Sequence, residues 1–143
     1  MKKKATLNGI ILAGGKATRM HGTDKGLLEN EGKTFIEHLI DLLKPLTDEI
    51  IIIANNDSYN HFGLKVFNDL KKEIGPMGGI YTGLTHSSSE KNIVIACDMP
   101  EVNGSFVNFL VQESQENNYD AIIPKYKHEL QPLCAIYRKN ILP

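Results

Sequence analysis

Short, largely apolar runs separated by stretches of helical periodicity are the feature that most constrains this chain. Residues 7–13, 50–54 and 93–97 are each too short for a membrane span and too apolar for a surface loop. The run at 50–54 is continuous and mostly β-branched, the pattern of a strand covered on both faces. Residues 64–68, 121–123 and 133–137 read as further strands. Between them, Phe35, Ile36, Leu39, Ile40 and Leu43 recur at helical spacing, and Pro45 closes that helix. Gly75-Pro76-Met77-Gly78-Gly79 reads as a turn leading into a helix over 80–87. Phe106, Val107, Phe109, Leu110 and Val111 mark the next helix. Alternation of this kind predicts an α/β fold: a Rossmann-like, doubly wound, mostly parallel sheet with helices on both faces.

A chain of 143 residues suits one domain, 1–143, with a sizeable core. It stops at Asn140-Ile141-Leu142-Pro143, where another helix is due, so a domain trimmed at its C-terminus is expected. A formal net charge of -1 argues against wrapping nucleic acid by bulk electrostatics. No segment approaches the roughly 20 apolar residues of a membrane span. Lys2, Lys3 and Lys4 precede an apolar run too short for a signal peptide, so a basic tail before the first strand is expected. Cys97 and Cys134 show neither C-x-x-C pairing nor metal-ligand spacing. A reduced, cytoplasmic setting fits, with both thiols as small apolar residues in strands.

In open α/β sheets, ligands sit beyond the carboxyl ends of the strands, near the point where strand order reverses. The first strand runs into Leu12-Ala13-Gly14-Gly15-Lys16-Ala17-Thr18-Arg19-Met20. Two adjacent glycines let the backbone approach a ligand and turn its N–H groups toward phosphate oxygens. Arg19 can pair bidentately with a phosphate, and Lys25 adds a compact point charge. Together they would offset the charge of a triphosphate and of departing pyrophosphate. The loop is neither Gly-x-x-x-x-Gly-Lys-Ser/Thr nor Gly-x-Gly-x-x-Gly, which argues against nucleotide hydrolysis by a Walker loop and against dinucleotide binding. A plain glycine turn with surface Lys and Arg is the competing interpretation.

Asp98 follows a buried strand and precedes Met99-Pro100, so its carboxylate belongs at the carboxyl edge of the sheet. An oxygen ligand there suits Mg²⁺, which takes one or two carboxylates with phosphates and water; the alternative is an Asp capping the following turn. Asn55 ends the 50–54 strand and Asp69 ends the 64–68 strand, on the same side. Either could accept hydrogen bonds from donors on a ligand, or could close an Asx-turn. His21 sits within the phosphate loop; His38, His61, His86 and His128 are scattered and show no ligand spacing, and the histidines read as surface or partner-contact residues.

Leu12-Ala13-Gly14-Gly15 followed by Arg19-Met20 and Lys25 resembles the signature loop of the sugar-nucleotide pyrophosphorylase-like nucleotidyltransferases, which have a nucleotide-diphospho-sugar transferase-like fold. Asp24-Lys25-Gly26-Leu27-Leu28, Gly75-Pro76-Met77-Gly78-Gly79-Ile80 and Cys97-Asp98-Met99-Pro100 are similar to one branch, the MobA-like molybdenum cofactor guanylyltransferases. Gln131-Pro132-Leu133 and Ala135-Ile136-Tyr137-Arg138 resemble its late strand, so the likeness runs from about Leu7 to Arg138. It implies transfer of GMP from GTP to molybdopterin-bound molybdenum cofactor, with release of pyrophosphate. It implies a Mg²⁺ cofactor on Asp98, a catalytic set of Arg19, Lys25 and Asp98, and nucleotide contacts from Leu12, Ala13, Gly14, Gly15, Lys25, Asn55, Asp69, Gly78, Gly79 and Asp98. Gly78 and Gly79 would let backbone reach the base or ribose. Partners implied are GTP, molybdopterin, other cofactor-biosynthesis proteins and target apoenzymes. Cytidylyl or sugar-phosphate transfer, and a non-catalytic nucleotide-binding adaptor, are the alternatives.

Overall fold

The computed structural model describes residues 7–13, 19–20, 23–55, 57–70, 75–97, 99 and 102–143, with backbone alone at 19, 20, 23–25 and 30. Strand β1 (Leu7–Leu12) is followed by two short ladders, β2 (Arg19–Met20) with β3 (Thr23–Asp24) and β4 (Glu29–Asn30) with β5 (Lys33–Thr34). Then come α1 (Phe35–Leu43), β6 (Glu49–Ile53), β7 (Lys65–Phe67), α2 (Pro76–His86), β8 (Lys91–Ala96) and α3 (Gly104–Glu116). The chain closes with β9 (Ala121–Ile122), a hairpin of β10 (Lys125–Tyr126) and β11 (Glu129–Leu130), and β12 (Cys134–Arg138).

One sheet of six strands, in the order β7-β6-β1-β8-β12-β9, forms the centre. β1 pairs in parallel with β6 on one side and β8 on the other, and β7 extends the parallel set. β12 is antiparallel to both β8 and β9, so the sheet is mixed but mostly parallel. The expected doubly wound architecture is therefore present, with α1 and α3 on one face and α2 on the other.

Period-two alternation along the strands feeds these two layers. Ile11, Ile52, Ile93 and Ile95 point to Ile36, Leu39 and Leu43 of α1 and to Val107 and Leu110 of α3. Ile10, Leu12, Ile51, Ile53, Val94 and Ala96 point to Ile80 and Leu84 of α2. Helix α1 starts at a reciprocal cap: the Thr34 hydroxyl accepts from the Glu37 N–H at 3.2 Å, and the Glu37 carboxylate accepts from the Thr34 N–H at 3.2 Å. Asn103 caps α3 through its side-chain oxygen and the Phe106 N–H, 2.9 Å apart.

Helix α2 departs from the sequence expectation. Residues 76–79 are its first turn rather than part of a loop, and the helix ends at His86. Pro76 stands at the start of the helix, where its missing N–H costs nothing, and Gly75 supplies the positive φ of 65° just before it. Gly79 and Gly83 then let the helix lie close on β1. A Cβ on Gly79 would come within 2.9 Å of Leu12 Cδ2, and one on Gly83 within 2.5 Å of Ile10 Cγ2. The far end of α2 is fixed by a buried polar cluster. Asn8 donates to Ser87 Oγ at 3.1 Å, Ser87 donates to Asn92 Oδ1, and Asn92 donates to the Ser89 carbonyl at 3.0 Å. Buried polar groups satisfied in this way hold register without leaving an unpaired donor.

Candidate functional site

From β1 the chain moves outward through β6 to β7, then returns to the other side of β1 as β8. Strand order therefore reverses between β1 and β8, which makes their carboxyl ends the switch point of the sheet. There the Cys97 N–H donates to the Leu12 carbonyl at 3.0 Å, and the Ala13 N–H donates to the Ile53 carbonyl at 2.9 Å. Leu12 and Ala13 are both buried. Gly14, Gly15 and Asp98 lie outside the described residues, as does His21. Arg19 pairs with Asp24 across the β2–β3 ladder, and Lys25 opens a 3-10 turn over Lys25–Leu27. The side chains of Arg19 and Lys25 lie outside what is described.

What ties the Lys25 turn to the switch point is the residue after it. Gly26 is buried, and a Cβ built on it would meet Tyr59 Oη at 2.9 Å and Cys97 Sγ at 3.0 Å. Only a residue without a side chain lets this turn press against Cys97 at the end of β8. Tyr59, itself fully buried, comes from the 3-10 helix Asp57–Phe62 that follows Asn55. Gly26 is thus the contact that brings the Lys25 turn, the end of β8 and the segment after β6 together.

A second group forms on the α2 side. Asn55 Oδ1 accepts from the Asp69 N–H at 2.9 Å, which joins the ends of β6 and β7. Thr82 Oγ1 lies 3.2 Å from Asp69 Oδ1, accepts from the Leu70 N–H at 2.9 Å, and donates to the Gly78 carbonyl at 2.8 Å. Gly79, one residue on, packs against Leu12. Asn55, Asp69, Gly78, Gly79 and Leu12 are therefore linked in one contiguous group, in which Leu12, Gly78 and Gly79 are buried. Thr82 was not among the residues singled out in the sequence. Its signal is a β-branched polar residue on the buried face of a helix, one turn after Gly78.

Among the described residues no group of three His, Cys, Asp or Glu could hold a metal ion. Both cysteines are free and buried, and burial pushes the Cys134 thiol up to about 11, so it stays protonated at neutral pH. His61, His86 and His128 are exposed, and His86 stacks on Phe67 at 3.9 Å between ring centroids. A cleft of about 390 Å³ opens between α1 and α3, lined by Phe35, Leu39, Met99 and Val102. It lies on the opposite face of the sheet from the Asn55–Asp69–Thr82 group. No helix among the described residues is long and apolar enough to cross a membrane.

Comparison with known proteins adds to this geometry. The model of the MobA-like NTP transferase domain matches residues 9–143. A relative from Clostridium perfringens strain 13, named probable molybdenum cofactor guanylyltransferase, is 47% identical over 131 residues, 91% of this chain and 65% of its own length. The molybdenum cofactor guanylyltransferase of Vibrio parahaemolyticus is 42% identical over 94% of this chain and 69% of its own. Among solved structures, the molybdopterin-guanine dinucleotide biosynthesis protein A of Archaeoglobus fulgidus superposes with a TM-score of 0.73 at 26% identity, covering 93% of this chain and 68% of that one. This chain thus spans just under two thirds of the Clostridium relative, and its fold is that of the nucleotide-diphospho-sugar transferases. With a family match over nearly its whole length and relatives above 40% identity, the chain belongs to the MobA-like NTP transferase domain family.

Proposed function

We propose that this chain transfers GMP from GTP to the terminal phosphate of molybdopterin-bound molybdenum cofactor, giving the guanine dinucleotide form and releasing pyrophosphate. An oxygen of the acceptor phosphate attacks the α-phosphorus of GTP, a new P–O–P bond forms, and the bond to the β-phosphate oxygen breaks. The acceptor is already anionic and needs no strong general base, so the protein's work is positioning and charge neutralisation. Leu12 and Ala13 lead the chain to the phosphates, where the backbone N–H groups of Gly14 and Gly15 cradle them, while Arg19 and Lys25 offset the charge that gathers on the leaving pyrophosphate. Asn55 and Asp69 accept from the guanine edge, and Gly78 and Gly79 let backbone approach the base or ribose.

Asp98 is the residue that would hold a Mg²⁺, since that ion accepts one or two carboxylates together with phosphate oxygens and water. Held by Asp98, the ion would supply positive charge that offsets the phosphates. The fit is supported by Cys97, the residue before Asp98, whose N–H is bonded to Leu12 at the switch point.

The observation that carries the proposal is the register at the carboxyl edge. The end of β1, the end of β8 and the Lys25 turn meet through Leu12, Cys97 and Gly26, with the Asn55–Asp69 pair beside them. The names of the Clostridium, Vibrio and Archaeoglobus proteins supply the choice of guanine and molybdopterin. The expected partners are GTP and molybdopterin, then other biosynthesis proteins and the target apoenzymes, in the cytoplasm. Pyrophosphate release measured with GTP, CTP, ATP and UTP, each with Mg²⁺ and molybdopterin, tests this reading. Release with GTP alone is expected, and equal release with CTP would overturn the guanine assignment.

A further inference from the structure

Thr82 sits inside α2, fully buried, one turn beyond Gly78. A threonine in a helix interior ordinarily gives its hydroxyl proton to the carbonyl four residues back, and the 2.8 Å bond to the Gly78 carbonyl is that bond. It would satisfy the hydroxyl by itself. The same oxygen nevertheless has two more partners, both from the segment after β7: the Leu70 N–H at 2.9 Å and Asp69 Oδ1 at 3.2 Å. With one proton to give, Oγ1 accepts from Leu70 and shares its donation between Gly78 and the Asp69 carboxylate. The Asp69 backbone is held in turn from the other side by Asn55.

We propose that Thr82 is a positioning residue for base recognition: its hydroxyl locks the Asp69 carboxylate and the first turn of α2 into one rigid surface. This rests on the guanine reading above and deepens it. Guanine offers two donors, N1–H and the N2 amino group, along the edge a carboxylate would read. Cytosine has one donor group on that edge, the N4 amino, beside acceptors at N3 and O2, so it cannot offer a carboxylate the adjacent pair of donors that guanine does. A site built to hydrogen-bond rejects the wrong partner sharply because its polar groups are left unsatisfied. That rejection holds only while the carboxylate cannot turn away. Thr82 is β-branched, buried and set in a helix tied at its far end by Ser87, so it is a stiff anchor for that carboxylate. Its loss should therefore erode discrimination between bases more than it weakens nucleotide binding as such.

The test is titration calorimetry of GTP, ITP and CTP with Mg²⁺ into the wild-type chain, Thr82→Val, Thr82→Ser, Asp69→Asn and the Asp69→Asn/Thr82→Val double variant. Thr82→Val should cut the preference for GTP over CTP by about tenfold, the equivalent of about 1.4 kcal/mol. Thr82→Ser, which keeps the hydroxyl, should restore it. Because Thr82 acts through Asp69, adding Thr82→Val to Asp69→Asn should bring no further loss. Full preference in Thr82→Val, equal loss in Thr82→Ser, or additive losses in the double variant would each overturn the proposal. Should Thr82→Val fail to fold by circular dichroism, Thr82→Ala and Thr82→Cys carry the same comparison. A wild-type chain that binds GTP and CTP equally would overturn the guanine reading itself, and this one with it, before any variant is made.

Discussion

Replacing Gly83 by alanine tests how closely α2 must lie on the sheet. The new Cβ would stand 2.5 Å from Ile10 Cγ2, 2.9 Å from Cδ1 and 3.3 Å from Cγ1. Ordinary carbon contacts lie near 3.5–4.0 Å, so either the helix or Ile10 must move by about 1 Å. Ile10 has no room to yield: it is fully buried, β-branched and on the central strand, between β6 and β8. Overpacking of this kind costs about 1–3 kcal/mol, and three close contacts put Gly83→Ala at the upper end. The gain from removing a mid-helix glycine offsets about 1 kcal/mol. The net loss should be about 2 kcal/mol, which lowers Tm by about 4–8 °C in a domain of this size. Thermal and urea melts measure it directly. In an Ile10→Ala background the added methyl fills vacated space, so the double variant should lose less than the sum of the two. A Tm that rises, or strictly additive losses, would refute the reasoning, since helix propensity would then outweigh packing against β1.

Gly26→Ala should damage turnover more than stability, because its Cβ would strike Tyr59 and Cys97 and push the Lys25 turn off the end of β8. A kcat/KM for GTP within about twofold of wild type would count against the turn's placement. Asp98→Asn should abolish transfer while leaving the melting curve near wild type; normal turnover would remove Asp98 from the mechanism. Thr34→Ala deletes the α1 cap and should cost about 1 kcal/mol of stability. The Thr34 backbone N–H, followed by its hydroxyl, holds the Glu37 carboxyl below its usual range. Glu37 therefore adds stability above the unfolded carboxylate pKa and loses it as pH falls through the lower folded value. The stability gap between wild type and Glu37→Gln, followed by urea titration, should close as pH drops below 4.5. A gap that widens toward acid would contradict the cap.

The parallel centre of the sheet was legible because β1, β6 and β8 are buried on both faces and so read as largely apolar runs, despite the buried Asn8 and Asn92. Strand direction was not, since an antiparallel β12 placed between β8 and β9 carries the same apolar pattern as a parallel one. The start of α2 was misread for a physical reason. Gly-Pro and Gly-Gly are turn signals locally, yet here Pro76 opens the helix and Gly79 serves its approach to Leu12. The β10–β11 hairpin gave no warning either, because its turn places Lys127 and His128, not glycine, at positive φ. At the site, Asn55 and Asp69 could be set on one edge in advance because each ends a strand of an α/β sheet; the pairing of those strands and the bond from the Asp69 N–H to Asn55 emerge only in the fold. Thr82 could not, since its partners appear only when α2 is laid beside the end of β7.

The central claim is that the surface at the ends of β1 and β8 moves the α-phosphate of GTP. Incubating the chain with Mg²⁺, molybdopterin and GTP labelled at the α- or the γ-phosphate reads this in one experiment. The account predicts that α-label moves into the pterin product while γ-label leaves as pyrophosphate. Label released as inorganic phosphate, or α-label from CTP transferred as readily as from GTP, would contradict it.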